Sequence, residues 1–133
     1  MYFDTYSVES DKQGRITLPK NLFRSGRIER GGTLCLYPVE NYWIACDPAR
    51  LQTIVEQVFP GSSLDPDVRD DRRNFMIEVR SLHIDPQGRI PLLSVSEPVK
   101  DGRYVLLGTG LEFEIWPDEA WQKYKINPGG GRQ

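Results

Sequence analysis

Histidine occurs once in this chain, at His83, which excludes any site built from two imidazoles. The two cysteines, Cys35 and Cys46, are spaced neither as a metal knuckle nor as a disulfide framework, and both lie in strand-like runs. They read as buried free thiols. No His/Cys/Asp/Glu cluster has metal-ligand spacing and no nucleophile–base pair stands out, so the expectation is no metal, no cofactor, no small-molecule substrate and no enzyme. No apolar run approaches the ~20 residues a membrane helix needs. The N-terminal MYFDTYSVES has neither a basic n-region nor an apolar h-region, which makes a cytoplasmic location the expectation.

What is present is a repeat. Within 133 residues, the run Asp11-x-Gln13-Gly14-Arg15-Ile16-x-Leu18 returns as Asp85-x-Gln87-Gly88-Arg89-Ile90-x-Leu92, at an offset of 74. Farther on, the segment from Asn41 matches the segment from Leu111 at an offset of 70. Each copy reads as strand, tight turn, strand, connection, hairpin, helix. Gly14 and Gly88 supply the left-handed residue that a short hairpin turn wants. Asp101-Gly102 opens one hairpin strand, Gly108-Thr109-Gly110 turns the chain, and Leu111, Phe113 and Ile115 alternate with Glu112 and Glu114. Asp47-Pro48 and Pro117-Asp118 are helix-start chemistry. The first of these helices carries Leu51, Ile54, Val55, Val58 and Phe59 as an apolar stripe, stopped by Pro60-Gly61. A second helix is expected from Asp65 to about Phe75, with Leu64, Val68 and Phe75 on one side. The tail NPGGGRQ reads as a flexible end. One copy alone would have too little core, so each is expected to complete the other about a pseudo-twofold axis.

Net charge is −2, and the mean composition is not that of a nucleic-acid binder, but its distribution is uneven. Between Ser10 and Arg30, Lys12, Arg15, Lys20, Arg24, Arg27 and Arg30 face only Asp11 and Glu29, a balance of +4. The equivalent window from Ile84 to Tyr104 balances to zero. A tight turn would present Lys12 and Arg15 to solvent, with Asp11 holding the Arg15 guanidinium in one pose. Arginine suits bidentate contact with guanine, and lysine contacts phosphate as a point charge. Lys20, Arg24 and Arg27 would extend the patch along a backbone.

The chain resembles the MraZ family of bacterial transcriptional regulators. The residues that carry the resemblance are Phe3 and Tyr6 ahead of Asp11-Lys-Gln-Gly-Arg15, Leu18-Pro19, Phe23-Arg24, Arg73-x-Phe75, Ile84 to Ile90, and Leu107 to Trp116 with Trp121 and Tyr124, spanning about residues 1–125. The resemblance implies an α+β, mainly β fold of two tandem AbrB-like β-barrel units, residues 1–60 and 76–125, with a connecting helical region at 61–75 and a flexible tail at 126–133. It also implies a homo-oligomeric ring, nucleoid association, and binding to short direct repeats in double-stranded DNA upstream of a division and cell-wall gene cluster. Asp11, Lys12, Arg15, Lys20, Arg24, Asp85 and Arg89 are the expected DNA-binding residues. The second copy departs from the pattern: Pro86 replaces the lysine, Pro91 stands in the strand, and no lysine follows until Lys100. The first turn is therefore expected to touch DNA and the second mainly to preserve the fold. The alternative from another class is an antitoxin-like AbrB interaction module.

Overall fold

The computed structural model of the chain describes residues 1–96, 99 and 101–128. Strand β1 (Thr5–Glu9) leads through the Asp11 turn to β2 (Ile16–Thr17), the one-turn helix α1 (Lys20–Phe23), the hairpin β3 (Thr33–Val39) and β4 (Tyr42–Cys46), and helix α2 (Pro48–Val58). Helix α3 (Pro66–Met76) follows, and then the order repeats. Strand β5 (Arg80–His83), the Asp85 turn, β6 (Arg89–Ile90), a 3₁₀ turn at Leu92–Ser94, the hairpin β7 (Arg103–Gly108) and β8 (Phe113–Pro117), and α4 (Asp118–Ile126) complete it.

Local chemistry explains the boundaries. The Asp47 carboxylate accepts from the Arg50 amide at 3.0 Å, with Pro48 opening α2; Asp65 accepts from the Asp67 amide at 2.9 Å, with Pro66 opening α3. Pro91 ends β6 at Ile90, because a proline offers no amide to continue a ladder. Leu64, expected on the apolar side of α3, precedes its cap and is 87% exposed.

Six strands form one largely antiparallel sheet in the order β1-β7-β8-β4-β3-β5, and β2 pairs with β6 in a separate two-stranded ribbon. The sheet does not close into the expected barrel, since β1 and β5 remain as its edges. Nor do the Asp11 and Asp85 turns join partners of one hairpin: the strands before each turn enter the sheet and those after it enter the ribbon. The two copies interlace. β1 pairs with β7 and β5 with β3, so the first strand of each copy lies against the hairpin of the other. Exchanging every strand for its counterpart returns the same sheet order. It also carries the pair Glu9↔Arg103 onto His83↔Thr33, so register is kept as well.

Period-two alternation sorts the side chains of this sheet. Leu34, Leu36, Ala45, Leu106, Phe113 and Ile115 face one side, where they pack with Ile16, Leu18, Ile90 and Leu92 from the ribbon and its flanks. Cys35, Cys46 and Leu51 with Ile54, Phe75 and Val79 form a second cluster beneath α2 and α3. The ribbon and α1 therefore lie on one side of the sheet, and α2 and α3 on the other. His83 is exposed on the edge strand β5.

Cys35 and Cys46 are free, buried and directly opposed in the β3·β4 ladder. Burial, then the neighbouring Cys35 and Asp47, push the Cys46 thiol up to about 12, and burial likewise raises Cys35. With an ordinary thiol near 8.5, the thiolate fraction of Cys46 at pH 8 falls by roughly three orders of magnitude. Ellman's reagent is expected to leave both thiols unmodified in the native protein and to titrate both within minutes in denaturant. Fast native modification of either would contradict the buried placement.

Candidate nucleic-acid interface

The two turns are built bond for bond alike. In the first, the Asp11 amide donates to the Arg15 carbonyl at 2.8 Å and the Gly14 amide to the Asp11 carbonyl at 3.0 Å; in the second, Asp85, Arg89 and Gly88 make the same bonds at 3.0 and 2.9 Å. Gly14 has φ +76° and Gly88 φ +81°, the left-handed region that a side chain resists. One oxygen of Asp11 accepts from the amides of Gln13 and Arg15, both at 2.9 Å, while the other accepts from the Arg15 Nε at 2.8 Å. Asp85 repeats this with Gln87 at 3.0 Å, the Arg89 amide at 2.8 Å and the Arg89 Nε at 2.6 Å. The position after each aspartate donates none of these bonds, so Pro86 can stand where Lys12 does without altering the loop.

These bonds set the charge. Hydrogen bonds from Arg15, led by its backbone amide, hold the Asp11 carboxyl below its ordinary value. Burial pulls Asp85 upward, and the bonds from the Arg89 amide, its guanidinium and the Gln87 amide outweigh it, so Asp85 is lowered too. Both groups thus stay ionised above the ordinary carboxylate range near 3.9, and each clamp is lost only as pH falls through the lowered value. The clamp consumes Nε and leaves the terminal amino groups of Arg15 without an intramolecular partner among the described residues; in Arg89 one of them donates to the Gln87 side chain at 3.0 Å.

The ribbon then brings the two turns together. Ile16 pairs with Ile90, its own counterpart, and both are fully buried. Alternation puts Arg15, Thr17 and Arg89 on the outward face of the same two strands. Thr17 lies opposite Arg89, so Arg15 and Arg89 are diagonal neighbours with backbones about 7–8 Å apart. Both guanidiniums are partly exposed.

The flanking charge is rearranged relative to the linear sequence. Leaving β2, the chain runs past the second turn: the Leu18 amide donates to the Gly88 carbonyl at 2.8 Å, and the Phe23 ring lies where a Cβ on Gly88 would meet it at 3.2 Å. Reciprocally, the Leu93 amide donates to the Gly14 carbonyl at 3.1 Å and its side chain covers Gly14. Exposed Lys20, which opens α1, and exposed Arg24, its C-cap, bracket in sequence the Phe23 that packs on the second turn, while Lys12 is exposed in the first. Arg89 is not bare of basic neighbours, as its linear surroundings imply; the first copy supplies them. Lys100 lies outside the described residues. One other base of the +4 window is spent internally, while exposed Arg30 keeps its charge beside the second turn, its Nε 3.6 Å from where a Cβ on Gly88 would lie. Arg27 donates to buried Asp47 at 3.1 Å, so it does not extend the patch, and the Arg30 guanidinium lies 4.3 Å from the Phe23 ring centroid. The signal for Arg27 was Asp47 itself, but only the fold shows that they meet.

Among the described residues, no group of three or more His, Cys, Asp and Glu side chains could hold a metal ion, and no helix is long and apolar enough to cross a membrane.

The chain is 30% identical to the transcriptional regulator MraZ of Pelagibacter ubique, over 96% of its own length and 84% of that protein's. The chain belongs to the MraZ family. The transcriptional regulator MraZ of Mycobacterium avium is 30% identical over 94% of this chain and 87% of its own length, and that of Mycobacterium tuberculosis is 28% identical over the same shares. No family model matches the chain. MraZ membership accounts for the whole length rather than for one motif, since each of these matches spans both Asp-Arg turns and both hairpins.

Proposed function

We propose that this protein is a sequence-specific, DNA-binding transcriptional regulator that reads short direct repeats upstream of a division and cell-wall gene cluster as a ring-shaped homo-oligomer. The observation that carries the proposal is the pair of aspartate-clamped arginines, Arg15 and Arg89, on one outward face of the β2·β6 ribbon. A guanidinium fixed by a carboxylate loses little rotamer freedom on binding, and its fork matches the paired acceptors of guanine in the major groove. Lys12, Lys20 and Arg24 contact phosphates around them, and Asp11 and Asp85 orient the readers. On this reading residues 1–60 and 76–125 are tandem AbrB-like units about a pseudo-twofold axis through the Ile16·Ile90 pair, joined by residues 61–75. The interlaced pairing and the self-mapping strand order support it. The protein works in the cytoplasm, at the nucleoid.

Fluorescence anisotropy against duplexes from the region upstream of its own coding sequence tests the proposal. Specific affinity should exceed that for a scrambled duplex by at least 10³-fold, the usual lower end for such proteins. Equal affinity for both would sink the sequence-specific reading. The Lys20→Ala/Arg24→Ala double variant should weaken binding to both duplexes alike and reduce the slope of log K against log[salt] by about two, since each cation removed leaves one phosphate with its counterion. An unchanged slope would remove these two residues from the interface.

A further inference from the structure

From aspartate to arginine the two turns differ at a single residue, and the difference is a charge: exposed Lys12 follows Asp11, whereas Pro86 follows Asp85. The fold nevertheless sets a second cation at the Asp85 turn, and it comes from the first copy. Arg30 lies in the connection between α1 and β3, between two anchors. Ile28 before it is buried in the core. After it, the Gly31 amide donates to the Ile84 carbonyl at 2.7 Å, and the Ile84 amide donates to the Gly32 carbonyl at 2.9 Å. Ile84 is the residue immediately before Asp85, so the backbone of Arg30 is moored at the entrance of the second turn.

The side chain then lies against the turn itself. Its Nε stands 3.6 Å from where a Cβ on Gly88 would lie, and its guanidinium sits over the Phe23 ring, 4.3 Å from the centroid. Cation–π attraction holds a guanidinium on an aromatic face, while its N–H donors lie in its own plane and stay open to an oxyanion. Among the described residues Arg30 forms no ion pair and gives no donor to a hydrogen bond. Arg15 and Arg89, by contrast, each give Nε to an aspartate. The adjacent acid, Glu29, turns its stem toward Gly32, where a Cβ would meet the Glu29 Cγ at 3.2 Å.

We infer that Arg30 is a DNA-phosphate ligand, which gives the second turn the cation that Pro86 withholds. Its contact is with phosphate rather than with a base edge, because no carboxylate turns its fork in one direction as Asp11 and Asp85 turn those of Arg15 and Arg89. The first reading unit carries its own Lys12. The second is assembled from both copies, with Arg89 from one and Arg30 from the other. The inference rests on the DNA-binding part of the function proposed above and adds to it a contact that the linear repeat does not contain.

Anisotropy titration of the full chain over a salt series, against the specific and the scrambled duplex, tests it. With one phosphate contact removed, Arg30→Ala should bind both duplexes about eightfold more weakly at about 0.1 M salt, and its slope of log K against log[salt] should fall by about 0.9. Adding Pro86→Lys to Arg30→Ala should restore the slope and most of the affinity. Position 86 gives no bond to its turn, and a lysine already stands at its counterpart in the first. If circular dichroism shows Arg30→Ala unfolded, Arg30→Gln replaces it, keeping the stem over Phe23 without the charge. A folded variant with wild-type affinity and slope overturns the assignment while the regulator reading stands. So does a loss of affinity at unchanged slope, or a double variant that regains nothing. A wild type that binds neither duplex overturns both.

Discussion

Replacing Arg15 by alanine should weaken binding to the specific duplex by about 1–3 kcal/mol, from roughly fivefold to more than a hundredfold, and relax preference at one base position. Arg15→Lys should recover little of it, because an ammonium keeps the charge but not the fork that Asp11 aligns. Arg89→Ala should cost within about threefold of the same amount. That expectation departs from the linear sequence, where the second turn has lost its lysine. It follows from the ribbon, which puts both arginines on one face, and from the first copy's Phe23 and Arg30, which lie against Gly88. Anisotropy titrations at a fixed salt concentration decide the matter. Should Arg15→Ala bind as tightly as wild type, with the same salt slope, the ribbon is not the reading face. Should Arg89→Ala alone be silent, the two turns have divided their labour.

The largest loss of stability should come from Phe113→Ala. Phe113 is fully buried where the copies meet on the sheet, edge-on to Tyr2 at 5.1 Å. Its partners across the ladder are Ala45 on β4 and Gly108 on β7, neither with a side chain long enough to move into the space. Gly108 has no room to grow either, since a Cβ there would press on the backbone of Tyr2 and Phe3. A cavity with walls that do not relax puts the cost at the upper part of the range for such truncations, about 3–5 kcal/mol. Against a typical total of about 5–15 kcal/mol, that is enough to shift a urea midpoint by more than a molar. Phe113→Leu should recover more than half. A loss under about 1 kcal/mol would mean that the site collapses after all.

Several of these features could be read in the sequence because they are written in local chemistry. The spacing Asp-x-x-Gly-Arg sets a turn through a side chain, two amides and a left-handed glycine, all within five residues, so Asp11 to Arg15 and Asp85 to Arg89 fold as their residues dictate. The caps at Asp47 and Asp65 are equally local. What was not legible is the partner of each strand. Alternation in Tyr6 and Val8 announces a half-buried strand, yet nothing in it says that the neighbour is β7 rather than β2, because alternation fixes a face and not a neighbour. The expectation that the Asp11 and Asp85 turns each close a hairpin failed at that step. Charge misled for a related reason: Arg27 counts toward a basic window in one dimension, while in three it serves the buried carboxylate of Asp47.

The interlacing of the two copies has a consequence in time. β1 leaves the ribosome well before its ladder partners, which run from Arg103 to Leu107. At about 5–20 residues per second, the edge of the growing protein waits on the order of 5–20 s before it has anything to pair with. Closing a loop of that length early is entropically poor, so folding is expected to start within β3 and β4, which are adjacent in the chain, and to take in β1 last. During that interval the nascent chain exposes an unpaired edge beside a half-built core. A second nascent copy on the same message carries the same edge and, once finished, the same β7, so polysome crowding is where this topology risks exchanging strands between chains.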